Sequence, residues 1–213
     1  ENASHERKLL LKQLGVKLHL TSAMEGTDGA QQFVQALVAK EPDRYFYPDQ
    51  YNNEANWKAH YAGTGPEIWS QTDGAVTHFV AGLGTTGTFV GTSRFLQEKD
   101  VTCIAVQPDN PMHGLEGWKH LDTALVPGIY DPAVPNYHLQ VSTEKAFQYA
   151  RAAFRFLGLF LSPSSAANLV AAIDVAKGLK SGCVVTVFPD NAMKYLQDPF
   201  WSNDDYLIDN PFV

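Results

Sequence analysis

Residues 76–107 constrain the fold more tightly than any other stretch of the chain. An apolar run, Val76 to Ala81, meets a glycine-rich turn, Gly82-Leu-Gly84-Thr-Thr-Gly87. A helix-compatible stretch then runs from Thr88 to Gln97, and a second apolar run spans Thr102 to Gln107. Strand, turn, helix and strand in this order form a βαβ unit. Two parallel strands joined through a helix predict an α/β fold with helices packed on a sheet.

The same turn lies in a window without charge. No Asp, Glu, Lys or Arg occurs between Asp73 and Arg94, and none between Arg155 and Asp174. Each window is long enough to span a bilayer, but the first is interrupted by glycines and threonines and the second by Ser162-Pro163-Ser164-Ser165. Both therefore predict buried strand–loop–helix joints, and no membrane span is expected. These windows explain a charged fraction of 18%, below the roughly 25% of average soluble domains.

Around this unit the pattern predicts further elements. A helix is expected from Glu6 to Leu14, stopped by Gly15, and a short strand from Val16 to Thr21. A helix capped by Thr27 or Asp28 should run to Val38, and Tyr45–Tyr47 reads as strand. The polar stretch Tyr51–Asn56 reads as a crossing between domains, and Gly65-Pro66 opens a short helix. Residues 108–135, rich in Pro and Gly, read as loop. Helices at Thr143–Leu157 and Ala166–Leu179 and a strand at Cys183–Phe188 follow, and the aromatic tail 201–213 lacks a clear period.

The charge balance is 16 − 23 = −7, with no basic run. That argues against nucleic acid and anionic membranes as partners, since both call for clustered Lys and Arg. Cys103 and Cys183 sit in apolar runs and read as buried thiols of a reducing compartment, the cytoplasm. No Cys or His spacing suits a metal. The first residues, Glu1 to Lys8, are polar and do not read as a secretory signal.

The turn itself has the chemistry of an anion site. Glycines admit a ligand close to the backbone, the helix start presents N–H groups and the positive dipole end, and Thr85, Thr86 and Thr88 add hydroxyl donors. A tight turn with glycines kept for packing is the competing reading. A P-loop is excluded because no Gly-Lys-Ser/Thr follows. A dinucleotide site would need an acidic residue about 20 positions on; Gln107 and Pro108 stand there, with Asp109 beyond the proline.

Seven motifs in order extend this reading. The segment Ala81-Gly-Leu-Gly-Thr-Thr-Gly-Thr resembles the phosphate loop of the cysteine synthase family, pyridoxal-phosphate enzymes of fold-type II. Glu1-Asn-Ala-Ser-His-Glu-Arg-Lys, Asp49-Gln-Tyr-Asn-Asn, Gly63-Thr-Gly-Pro-Glu-Ile-Trp and Gly117-Trp-Lys-His-Leu through Ile129 are similar to segments of that family, the last to its cysteine synthase B branch. So are Gly158-Leu-Phe-Leu-Ser-Pro-Ser-Ser-Ala-Ala and Val184-Val-Thr-Val-Phe-Pro-Asp-Asn-Ala-Met-Lys-Tyr-Leu.

The resemblance implies an α/β, tryptophan synthase β-like fold of two domains with largely parallel sheets. Residues 1–53 would complete the small domain and 54–213 form the cofactor-binding one. It implies pyridoxal 5'-phosphate as cofactor, a small amino-acid substrate and a homodimer. Gly84, Thr85, Thr86, Gly87 and Thr88 would hold the phosphate. Ser164 would hydrogen-bond the pyridine nitrogen. Gln50 would bind the substrate carboxylate, and Lys119 and His120 would lie where an acidic substrate or sulfur donor approaches. The implied reaction is β-replacement: an O-activated serine loses its leaving group and a sulfur nucleophile adds, giving cysteine or a relative.

The chain also departs from the family. The lysine that forms the Schiff base, in a Ser-x-Lys-Asp-Arg context, does not occur, nor does the Thr-Ser-Gly-Asn-Thr loop. No catalytic residue is therefore assigned in this chain, and about the first third of the family's length is expected to be absent. A piece of a longer enzyme, half of a split enzyme and a non-catalytic interaction protein on the same scaffold are the three readings. Ser162, Pro163, Ala166 and Ala192 replace family residues around the ring pocket, three of them glycines, where a Cβ or a lost N–H could obstruct.

Overall fold

The computed structural model describes residues 3–213. Glu1 and Asn2, which open the first of the motifs above, lie outside the described residues. The order along the chain is α1 (His5–Gln13), α2 (Gly26–Lys40), α3 (Ala55–Ala62), α4 (Thr64–Gln71), β1 (His78–Gly82), α5 (Gly87–Gln97), β2 (Thr102–Pro108), β3 (Tyr137–Val141), α6 (Thr143–Ala152), α7 (Pro163–Lys177) and β4 (Val184–Thr186). The strands form one parallel sheet in the order β3-β2-β1-β4.

β1 and β2 are central and almost wholly buried, which is why both read as apolar runs without polar alternation. Side-chain alternation assigns their two faces. Phe79, Ala81, Cys103 and Ala105 pack with Phe89, Val90 and Leu96 of α5. Val80, Ile104 and Val106 pack with Ala146 and Tyr149 of α6 and with Ala167, Val170 and Ala171 of α7. The sheet is thus covered on both sides. A third cluster seats the tail: Phe200 stacks on Phe147 at 4.5 Å, beside Tyr195 and Trp201.

Several boundaries differ from the sequence reading. The segments Val16–Thr21 and Tyr45–Tyr47 run as irregular chain, not strand. α3 begins at Ala55, in the last two residues of the expected domain crossing, and the edge strand β3 follows the Pro- and Gly-rich loop. α7 begins at Pro163, three residues earlier than its apolar period suggested. Ser162 caps it, accepting from Ser165 N, so Pro163 occupies the first helical position, where no intrahelical donor is needed. Ser162 is in extended conformation at φ −65°. None of Ser162, Ala166 and Ala192 has positive φ, so the backbone at these positions does not require glycine.

Candidate functional site

The two uncharged windows converge at the carboxyl end of the sheet, the edge where open α/β folds place ligands. β1 ends at Gly82 and turns through Leu83–Thr86 into α5. α7 starts beside it, and Asn168 in its second turn joins the pieces. Its Oδ1 accepts from Gly82 N at 2.8 Å, and its Nδ2 donates to the Val187 carbonyl, just past β4, at 2.9 Å.

Close approach explains the glycines of the turn. A Cβ on Gly82 would overlap the Trp118 ring, and one on Gly84 would overlap the Gly117 carbonyl. The segment Gly117–Lys119 is pressed against the turn, and Lys119 N donates to the Leu83 carbonyl at 2.8 Å. A Cβ on Gly87 would overlap Asn56 Oδ1, so α3 lies equally close on the other side.

Thr86 caps α5 in the left-handed region, φ +72°. A non-glycine residue held there costs on the order of 1 kcal/mol, and such residues cluster at functional sites. The residue is buried, and its Oγ1 has no hydrogen-bond partner among the described residues. Thr85 Oγ1 accepts from Asn56 Nδ2 at 3.0 Å and from Gly87 N at 3.4 Å. Thr88 Oγ1 lies 3.2 Å from His60 Nε2. Burial holds the His60 imidazole below its usual pKa.

This donor set fits a phosphate monoester: three hydroxyls, the amides of an 11-residue helix start, and no carboxylate in the stretch Gly82–Thr88. An orphaned buried hydroxyl such as that of Thr86 calls for a partner, and an anion at this point would provide one.

The other expected residues lie as follows. Ser164 is buried in the first turn of α7, its Oγ 3.3 Å from Ser162 Oγ. Ser162 Oγ is engaged by Ser165 N and Ser165 Oγ, and Ser165 Oγ donates to the Asp190 carbonyl at 2.7 Å. Gln50 lies in the turn before α3, and its carbonyl accepts from Asn56 Nδ2 at 2.7 Å. Lys119 is 4% exposed, and its Nζ is ion-paired with Asp28 of α2. Among the described residues no cluster of three or more His, Cys, Asp or Glu could hold a metal. Among the described residues no helix is long and apolar enough to cross a membrane.

Sequence reading missed Asn56, His60 and Asn168, which touch the turn from other elements. The i, i+4 spacing of Asn56 and His60 was the one available signal, and it is weak without knowledge that α3 exists.

A family model described as pyridoxal-phosphate dependent enzyme matches residues 1–190. A cysteine synthase of Aquifex aeolicus is 48% identical over 210 residues, which are 96% of this chain and 64% of that protein. Cysteine synthase B of Salmonella typhimurium is 33% identical across 97% of this chain and 68% of its own length. Among solved structures, an O-acetylserine dependent cystathionine beta-synthase from Helicobacter pylori superposes with a TM-score of 0.85 at 32% identity, covering 94% of this chain and 68% of that one. The chain spans about two thirds of the length of these relatives.

Proposed function

Because the chain belongs to the pyridoxal-phosphate dependent enzymes, we propose that it is part of an enzyme that forms cysteine, or a related amino acid, from an O-activated serine and a sulfur nucleophile. The observation that carries this reading is the α5 start, where the hydroxyls of Thr85, Thr86 and Thr88 gather around helix amides with Thr86 Oγ1 unsatisfied. The names of the similar proteins, cysteine synthases in two cases, give the reaction class.

Pyridoxal phosphate, when bound, supplies an electron sink that labilises the α-proton and the β-substituent of an amino acid. The residues of this chain have binding and orienting roles. Gly84 to Thr88 hold the phosphate by amides and hydroxyls. Ser164 offers a neutral hydroxyl to the pyridine nitrogen, which leaves the ring uncharged and favours elimination and replacement at the β-carbon. Gln50 binds the substrate carboxylate. Lys119 receives an acidic group in exchange for Asp28. The loop around Gly117–Lys119, packed on the turn, helps to exclude water. Residues 1–53 belong to a small domain and 54–213 to the cofactor-bearing one. The free thiols of Cys103 and Cys183 support a reducing, cytoplasmic setting, and the family resemblance supports a homodimer.

A second reading, a non-catalytic protein on this scaffold, is favoured by one observation. Lys119, the lysine packed against the turn, is committed to Asp28. One experiment addresses both readings. The full chain is titrated with pyridoxal phosphate and with pyridoxal, followed by tryptophan fluorescence, then reduced with borohydride and mapped for modified lysines. Saturable binding at least tenfold tighter for the phosphate ester is expected. Equal binding of the two compounds removes the cofactor reading. Binding with no cysteine formed from O-acetylserine and sulfide, in the protein as cells contain it, establishes the non-catalytic one.

A further inference from the structure

Two side chains outside the turn hydrogen-bond its hydroxyls. Asn56 and His60 lie one helical turn apart on α3, which is packed against the start of α5 where Gly87 and Gly91 remove the Cβ atoms that would collide with it. Asn56 uses one side-chain amide proton on the Gln50 carbonyl and the other on Thr85 Oγ1. Thr85 Oγ1 receives a second hydrogen bond from Gly87 N.

A hydroxyl oxygen has two acceptor positions and one proton. With both acceptor positions taken, Thr85 is left as a donor, and its proton has no acceptor among the described residues.

Thr88 is in a similar state under one condition. His60 Nδ1 lies 2.8 Å from Thr64 Oγ1, and its Nε2 lies 3.2 Å from Thr88 Oγ1. When Nε2 carries the ring proton, it donates to Thr88, and the Thr64 hydroxyl donates to Nδ1. The Thr88 proton is then directed outward. The opposite tautomer would draw that proton into α3. Burial keeps the imidazole neutral, so a single ring proton decides the matter.

We propose that Asn56 and His60 are positioning residues for the phosphate: by donating to Thr85 and Thr88 they make both hydroxyls proton donors to the bound anion. Asn56 also ties the phosphate turn to the main chain of Gln50, so the two subsites move as one piece. The proposal rests on the cofactor reading above, and it assigns the direction of individual protons.

The test compares variants that differ in donor capacity more than in shape. In Asn56→Asp the carboxylate can only accept, so it takes the Thr85 proton and sets a negative charge beside the phosphate. His60→Glu makes the same reversal at Thr88, whereas His60→Gln retains an N–H donor. Dissociation constants for pyridoxal phosphate and for pyridoxal are measured on the full chain, with melting temperature as the check on folding. Asn56→Asp and His60→Glu are expected to weaken pyridoxal phosphate about tenfold or more while pyridoxal affinity stays within threefold. His60→Gln should stay within threefold for both.

Equal losses in His60→Glu and His60→Gln, with phosphate preference intact in the unsubstituted chain, overturn the proposal and leave the cofactor reading standing. No phosphate preference in the unsubstituted chain overturns both. If Asn56→Asp does not fold, the His60 pair and the imidazole ¹⁵N shifts of the ligand-bound chain decide; a proton found on Nδ1 overturns the proposal.

Discussion

Asp28 and Lys119 form an ion pair that joins the first turn of α2 to the loop lying on the phosphate turn. Asp28 Oδ1 accepts from Lys119 Nζ, and its Oδ2 accepts from Leu125 N at 2.7 Å. The ammonium also sits 5.0 Å from the centroid of the Tyr51 ring. With Lys119 at 4% and Asp28 at 24% side-chain exposure, water screens the pair poorly. Removing one partner leaves the other charge buried, which costs about 3 kcal/mol. Asp28→Asn should lower unfolding free energy in urea by about that amount. The Asp28→Asn/Lys119→Met double variant should lose less than the sum of the single changes; strict additivity would show that the pair carries no coupling.

Gly84 allows a different kind of prediction, because what a Cβ would meet there is backbone, the Gly117 carbonyl. Backbone cannot rotate away as a side chain can, so Gly84→Ala should destabilise by about 1–3 kcal/mol and weaken pyridoxal phosphate binding. Gly178→Ala provides the control: its φ is −81° and the nearest atom, Val175 O, is 3.4 Å from the added Cβ. That change should be neutral or slightly stabilising by about 0.5 kcal/mol. Comparable urea midpoints for the two variants would contradict the geometry.

The contrast between these elements and α3 shows what the sequence could convey. The βαβ unit was legible because Phe79, Val80, Ile104 and Val106 are buried strand residues in short apolar runs, and because the glycines between them mark backbone contacts. The turn residues Gly84–Thr88 followed from the same logic. α3 was not legible. Ala55–Ala62 has no apolar stripe and none of its residues is fully buried, His60 included; close packing on α5 through Gly87 and Gly91 holds it in place. β3 goes unassigned for the reason common to edge strands: its residues Tyr137, His138 and Gln140 are exposed, so the segment shows no buried apolar run. The alternation of Val16–Thr21 suggested a strand, but alternation describes side-chain direction and does not by itself create a hydrogen-bonded neighbour. Asn56 and His60 escaped notice because their chemistry acts through two threonines far along the chain.

Cys103 should be inert in the folded chain. It is fully buried in β2, and burial pushes its thiol up to about 11. The reactive species is the thiolate, so at pH 8 Cys103 should resist iodoacetamide for as long as the protein stays folded. Cys183, which is only partly buried, should be alkylated first. The raised value also makes stability fall as pH rises through the ordinary thiol range of about 8.5, since the unfolded chain then releases a proton that the folded chain retains. Mass mapping of labelled peptides before and after urea addition checks the order. Labelling of Cys103 ahead of Cys183 in buffer would contradict it.

His60 gives the pH dependence its sign on the acid side. Burial lowers its folded value below the usual 6.5, and its hydrogen-bond partners, Thr64 and Thr88, are uncharged, so neither opposes that shift. Between the two values the unfolded chain binds a proton that the folded chain does not, so stability drops as pH falls through about 6.5. It levels off once the folded imidazole also protonates, and above about pH 7.5 the residue contributes nothing to the slope. His113, lowered by burial and by the neighbouring His120, acts in the same direction, so His60→Gln should reduce the slope without removing it. Urea midpoints at pH 7.5, 6.5 and 5.5 measure this. The unsubstituted chain should lose more between pH 7.5 and 5.5 than His60→Gln does. Parallel curves would mean that His60 takes up its proton as easily in the fold as in the unfolded chain, which its burial against α5 opposes.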